Sequence, residues 1–232
     1  MERVRYEYLP NARRIIEPFA GSGTTPLVLG QAGIECAFSE ANPAMVFIAE
    51  TKLAVLRLHQ EARATLAHKL VALAAQLPTH VVAASADELL RVSYATTFGT
   101  SVFFDEPVLE YVLRIRSVND ELADTDRLLG DCFSVAVLSS LIPSSRLKRA
   151  GDLRYRTSKE LAAGLPNPVE LIAARLVAQA EDLTRAEPLK AACRFACSTA
   201  GTLHEHLRDG WDGVITSPVS YTHLTLPTIL LV

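Results

Sequence analysis

The residues best suited to chemistry are Glu17-Pro18-Phe19-Ala20-Gly21-Ser22-Gly23-Thr24-Thr25, then Glu40, and far downstream Thr216-Ser217-Pro218. Two glycines one residue apart let a backbone turn sharply and come close to a ligand. A helix starting at such a turn adds free N–H groups and the positive end of its dipole, which suits a carboxylate or a phosphate. The turn is not a P-loop, because no Lys-Ser or Lys-Thr follows. It also lacks the third glycine of the dinucleotide fingerprint. Glu40 lies 17 positions beyond Gly23. An acid there, at the end of a second strand, is placed to accept hydrogen bonds from ribose hydroxyls. Together the turn and the acid point to a nucleoside-bearing cofactor. The alternative is a structural turn with a surface glutamate.

Positioning these residues requires strands and helices in alternation. A strand is expected over 13–19, centred on Ile15 and Ile16, with a helix from Pro26 to Gln31, since proline suits a first turn. Gly33 should close that helix, and a second strand should cover 34–39. An Ala-, Leu- and Lys-rich stretch from 44 to about 77 predicts one long helix stopped by Pro78. Residues 80–102 are ambiguous, with 81–84 a candidate strand. Apolar residues at Val108, Tyr111, Val112 and Ile115 have helical spacing. Further helices are expected over 125–141 and 167–184, with a polar, basic loop opening at Pro143. Cys193 to Cys197 and Asp212 to Ile215 predict a third and a fourth strand. The order strand, helix, strand, helical insertion, strand, strand favours a doubly wound α/β sheet.

The bulk composition agrees with a folded domain. The chain has 232 residues, 49% hydrophobic and 21% charged, a net charge of -3 and an estimated pI of 6.1. Such a balance excludes disorder, and it argues mildly against nucleic acid, whose partners are usually basic. Cys36, Cys132, Cys193 and Cys197 form no C-x-x-C pair. They read as reduced, buried thiols of a cytoplasmic protein, with no disulfide framework and no metal site. Neither a signal peptide nor a membrane span is expected.

Three motifs in order carry a resemblance. Glu17 through Pro26 resembles the cofactor motif of S-adenosylmethionine-dependent DNA amino-methyltransferases, Asp-Pro-Phe-x-Gly-x-Gly-Thr. Ser39-Glu40-Ala41-Asn42-Pro43 resembles their next element, an acid two residues before Asn-Pro. Asp212-Gly213-Val214-Ile215-Thr216-Ser217-Pro218 resembles the start of their catalytic motif. The resemblance implies a Rossmann-like class I methyltransferase sheet, incomplete at the C-terminus, with a mainly helical insertion. It implies residues 1–104 as the cofactor half, 105–187 as the insertion with possible substrate contacts, and 188–218 as the strands leading to the catalytic motif. S-Adenosylmethionine would be held by Glu17, Phe19, Gly21, Ser22, Gly23, Thr24, Glu40 and Asn42. Thr216, Ser217 and Pro218 would form the catalytic loop, with Ser217 accepting a hydrogen bond from the exocyclic amine of a flipped DNA base. The implied reaction is methylation of cytosine N4 or adenine N6, of the kind found in restriction-modification. Serine at this place leans towards cytosine. No metal is implied.

Two departures qualify this. The family often carries an acid at the end of its third strand, where this chain has Ser198-Thr199; Asp87 would supply it only if 81–84 were that strand. After Pro218 the family continues with proline and an aromatic residue, whereas this chain has Val219-Ser220-Tyr221. Residues 219–232 resemble a translated sequencing-library adapter and are expected to be a non-native tail, leaving the chain itself inactive. An RNA or protein amine methyltransferase, or a non-catalytic nucleic-acid-binding remnant, is the competing expectation. His204-Glu205-His206 lacks the H-E-x-x-H spacing of a zinc site and reads as a solvated segment. Trp211 reads as a core residue. The basic run Arg146, Lys148, Arg149, Arg154, Arg156 and Lys159, with Tyr155 inside it, is either a phosphate-contacting surface or a solvated loop.

Overall fold

A computed structural model describes residues 7–207 and 209–216; Ser217, Pro218 and the tail lie outside them. Its contacts divide the chain into two units, one made of residues 1–53 and 189–232, the other of residues 54–188. The first unit is an α/β layer. Strand β1 (Arg14–Glu17) leads through the glycine turn into helix α1 (Thr24–Gln31), then β2 (Glu35–Ser39) and helix α2 (Pro43–Arg57), whose residues from Ala54 on are counted with the second unit. Strands β5 (Cys193–Cys197) and β6 (Gly213–Val214) complete a sheet of order β5-β2-β1-β6. Every neighbouring pair is parallel, with Ile15 opposite Cys36, Cys36 opposite Cys193, and Ile16 opposite Val214. The arrangement is compatible with a Rossmann-like fold.

Parallel strands are covered on both faces and so tend to be apolar throughout rather than alternating. In β2, Cys36, Ala37, Phe38 and Ser39 are all buried. The core joins Ile15, Leu29, Phe38, Leu53, Cys193 and Ile215, and the Phe38 and Phe195 rings sit 5.8 Å apart. Gly30 is what lets α1 lie this close, since a Cβ there would stand 2.7 Å from Cys193 Sγ. All four cysteines are free and buried. Burial, and secondarily Cys193 and Glu17, pushes the Cys36 thiol far above its ordinary range, which keeps it protonated and unreactive.

The edge strand β6 is only two residues long and is pinned by Asp212. One carboxylate oxygen accepts the N–H groups of Arg13 and Arg14, at 2.7 and 2.8 Å, while Asp212 N–H donates to the Arg14 carbonyl. Trp211 is not a core residue as expected: it is half-buried, with the Arg14 guanidinium 4.5 Å above its ring.

The second unit holds helices α3 (Gln60–Ala83), α4 (Glu88–Phe98), α5 (Glu106–Thr125) and α6 (Arg127–Ser144). Hairpin strands β3 (Leu147–Ala150) and β4 (Asp152–Tyr155) follow, then α7 (Ser158–Ala162) and α8 (Pro168–Arg185). Side chains cap several of these helices. His59, Asp87, Asp126, Thr157 and Asn167 each accept a backbone N–H from the first turn. At the other end of α8, Arg63 donates to the Ala186 carbonyl at 2.6 Å, a cation where the helix dipole favours one.

Several expected boundaries are corrected here. The long helix does not stop at Pro78; α3 runs through it to Ala83. A proline inside a helix forfeits one hydrogen bond, but Leu70, Leu73, Leu77 and Val81 form one buried row across it. Burying each such side chain is worth roughly 1.5–3 kcal/mol, which outweighs that loss. The break falls instead at Leu58-His59, where His59 caps α3. Residues 81–84 are therefore helical or its cap, not a strand, and Asp87 caps α4 rather than ending a sheet strand. Pro143 also lies inside a helix, and the basic loop after it is an antiparallel hairpin. Among the described residues one helix, Arg127–Ser144, is long and apolar enough to cross a membrane by length and composition, where none was expected. Its Cys132, Phe133, Ala136 and Ser140 are buried within this unit, as a core helix requires.

Asp212 generates a pH prediction. The Arg13 and Arg14 N–H groups hold its carboxyl below the ordinary 3.8. A depressed native value contributes stability that is present above the unfolded pKa and lost as pH falls through the native one. Urea midpoints measured from pH 5 down to pH 2.5 should therefore fall more steeply for the wild type than for Asp212→Asn. Parallel curves would mean that the Asp212 contacts do not survive in solution.

Candidate functional site

The carboxyl ends of β1, β2, β5 and β6 lie along one edge of the sheet, because all four strands are parallel. The glycine turn leaves β1 there, Glu40 follows β2, Ser198 follows β5, and Thr216 lies two residues beyond β6. In strand sequence the order is third, second, first, fourth, so connections diverge between β1 and β6. Open α/β sheets bind ligands at such a switch point, outside the carboxyl ends of the strands.

Short hydrogen bonds hold the turn. Gly21 N–H donates to Glu40 Oε2 at 2.8 Å, and Asn42 N–H to Glu40 Oε1 at 2.9 Å. Ala20 N–H donates to the Ser39 carbonyl, and Ser39 Oγ–H to the Pro18 carbonyl. Glu17, only 1% exposed, accepts the Phe19 N–H at 3.0 Å. Each carboxylate thus shapes the loop and keeps lone pairs beyond the bonds named. Asn42 uses its side-chain oxygen to accept the Ala44 N–H and so starts α2. Phe19 is 49% exposed, and Thr24, at the start of α1, is exposed.

The two glycines serve different ends. Both have positive φ, +53° at Gly21 and +84° at Gly23, where an L side chain is strained. A Cβ on Gly23 would stand 2.7 Å from the Ala49 Cβ, so this glycine allows α2 to pack beneath the loop. A Cβ on Gly21 would meet nothing within 4 Å; that position faces open space. Gly23 makes no side-chain cap for α1, and no acid stands in the first turn. The positive end of that helix is left without an anionic side chain in its cap or first turn.

Of the expected cofactor residues, Glu17, Phe19, Gly21, Ser22, Gly23, Glu40 and Asn42 are brought into one bonded loop system, with Thr24 beside it. Thr216 is exposed just beyond β6. Ser217 and Pro218 fall outside the described residues. His204 and His206 lie exposed on a short 3-10 helix, Ala200–His206. Lys52 was missed in the sequence. Its Nζ donates to the Ser22 carbonyl at 2.9 Å and lies 3.4 Å from Ser22 Oγ, and burial lowers its pKa. The available signal was its helical spacing after the loop-facing Ala49 and beside buried Leu53. The chain matches no protein-family model, no curated protein and no solved structure.

The glycine geometry separates two substitutions. Gly21→Ala should cost only the strained φ, roughly 1–2 kcal/mol. Gly23→Ala adds overpacking against Ala49, typically 1–3 kcal/mol, for a total of about 2–5 kcal/mol. Chemical denaturation of both variants checks the order; equal losses would contradict the close approach of α2.

Proposed function

We propose that this protein is an S-adenosylmethionine-dependent methyltransferase acting on the exocyclic amine of a DNA base, cytosine N4 or adenine N6, with a class I methyltransferase sheet. The observation that carries this is the Gly21–Glu40 link at the switch point: a glycine turn and an acid tied together outside the carboxyl ends of β1 and β2. The motif resemblance supplies the chemistry. The residues present suit the cofactor, since Gly21 opens onto free space and α1 presents an uncapped N-terminus. Gly21, Ser22 and Gly23 would line the methionine part, the free α1 terminus would face its carboxylate, and Glu40 would hold the ribose hydroxyls with its remaining lone pairs. Bound S-adenosylmethionine supplies an electrophilic methyl group on a sulfonium. The protein's part is to orient the amine and exclude water, so rate would come from positioning and electrostatics. Thr216 lies two residues beyond β6, which pairs with the strand that carries the glycine turn.

Calorimetric titration tests the reading. The wild type should bind S-adenosylmethionine. Gly21→Val, whose side chain would enter the open space over the loop, should bind it at least about tenfold more weakly, a loss of about 1.4 kcal/mol. Glu40→Gln keeps a hydrogen-bonding side chain but loses its charge, and should lie between the two. Unchanged affinity in Gly21→Val would sink the proposal.

A further inference from the structure

The hairpin β3–β4 is the most basic stretch of an otherwise slightly acidic chain. Residues 146–156 carry five cations, Arg146, Lys148, Arg149, Arg154 and Arg156, against one acid, Asp152. The pairing sorts these charges onto two faces. Lys148 stands opposite Arg154, and Arg149 opposite Leu153, with Leu147 opposite Tyr155 at the base. Side chains alternate across a strand, so Lys148 and Arg154 share one face, while Arg149, Leu153 and Tyr155 share the other.

The first face is internally neutralised. Lys148 and Arg154 both pair with Glu160, and Arg154 with Lys148 holds that carboxyl far below the usual carboxylate range. Arg146 pairs with Asp105, and Arg156 donates to the Ser145 and Pro143 carbonyls. Arg149 differs: it is exposed, and its side chain makes no hydrogen bond or ion pair with any described residue. Beside it on the same face Leu153 is 55% exposed and Tyr155 49% exposed.

Tyr155 is not a loose surface side chain. Its ring stacks on Phe103, with centroids 5.9 Å apart and planes 13° from parallel. Phe103 is in turn held edge-on by Phe98 at 5.0 Å and by Tyr94 at 6.5 Å. The Phe103 backbone is fixed at both ends: its N–H donates to the Tyr94 hydroxyl and its carbonyl accepts the Arg146 N–H. A rigid aromatic ring, half in solvent, thus lies on one face with a guanidinium nearer the hairpin tip that pairs with no described residue. Aromatic rings that stack bases, beside cations that meet phosphates, are the two parts of sequence-tolerant single-strand binding.

We propose that the Arg149–Leu153–Tyr155 face of this hairpin binds single-stranded DNA, with Tyr155 stacking on one base and Arg149 contacting a backbone phosphate. The occupant follows from charge complementarity and from the exposed ring. A duplex hides its base faces, so Tyr155 would find no partner there. This extends the proposed function to its macromolecular substrate but does not depend on the cofactor loop, and the assay contains no S-adenosylmethionine, so the two can fail separately.

The test is fluorescence anisotropy of a labelled oligo-dT of about a dozen nucleotides titrated with the full chain. Tyr155→Ala should weaken binding about ten- to a hundredfold, and Tyr155→Trp should restore it. Arg149→Ala should reduce the slope of log affinity against log salt by about 0.7, one phosphate contact on a single strand. If Tyr155→Ala lowers the melting temperature, Arg149→Ala and Tyr155→Trp decide the matter, because Arg149 bonds to no described residue and Trp keeps the ring. No binding by the wild type, wild-type slope in Arg149→Ala, or tighter binding of a duplex or of RNA of equal length overturns the proposal.

Discussion

A single carboxylate ties the first unit's chemistry to its fold. Glu40 accepts the N–H groups of Gly21 and Asn42 at once, so it fixes the turn after β1 and the start of α2 together. A bond from an N–H to an ionised acceptor is worth roughly 1.5–3 kcal/mol net, about twice a neutral one. Two such bonds fix the conformation of the loop. Ala20 N–H to Ser39 and Ser39 Oγ–H to Pro18 repeat the same β1-to-β2 connection one step deeper. The loop is therefore preorganised by the sheet edge and not by its own sequence alone.

Around that link the two glycines divide the labour. Gly23 gives up its side chain so that Ala49 can approach from below, while Gly21 gives up its own so that the space above stays clear. Lys52 closes the lower side by holding the Ser22 carbonyl. A lysine half-buried at this point loses hydration, which explains its lowered pKa, yet an ammonium with a carbonyl acceptor is far better placed than one with none.

Much of this was readable from the residues, and the exceptions have physical causes. The sheet strands announced themselves because short apolar runs between turn residues leave little else to form: 13–19 held β1, 34–39 held β2, and Cys193 to Cys197 matched β5 at both ends. The sequence places Asp212 at the start of the last strand, but its backbone only leads into β6 while its side chain binds back to the Arg13 and Arg14 N–H groups. Pro78 does not end the helix because the buried row Leu70, Leu73, Leu77 and Val81 outweighs local propensity, and that row is visible only once a partner helix exists to cover it. The basic run has the composition of a loop because its aliphatic residues, Leu147 and Leu153, are too few to show an alternating pattern. Its strands exist by pairing with each other, a relation no window of single-strand propensity contains. Lys52 is hard to single out for a similar reason: helical spacing sets it near Ala49 and Leu53, but its role depends on a carbonyl 30 positions earlier.

The placement of β5 bears on how the chain reaches its native state. Cys193 Sγ–H donates to the Pro26 carbonyl across 167 positions of sequence, and β5 pairs with β2 only after residues 54–188 have been made. Contacts so distant close slowly, since each must overcome the entropy of a long loop before it brings any gain. The strands β1 and β2, with α1 between them, can pair early through local contacts, but they then wait with both sheet edges unpaired. Exposed edges of apolar parallel strands invite pairing with other chains. The all-helical packing of α3 with α8 draws together residues as far apart as Arg63 and Ala186, and so brings the end of the second unit back towards its beginning. With Arg63 and Ala186 joined, the span that β5 closes is far shorter in space than its separation in sequence.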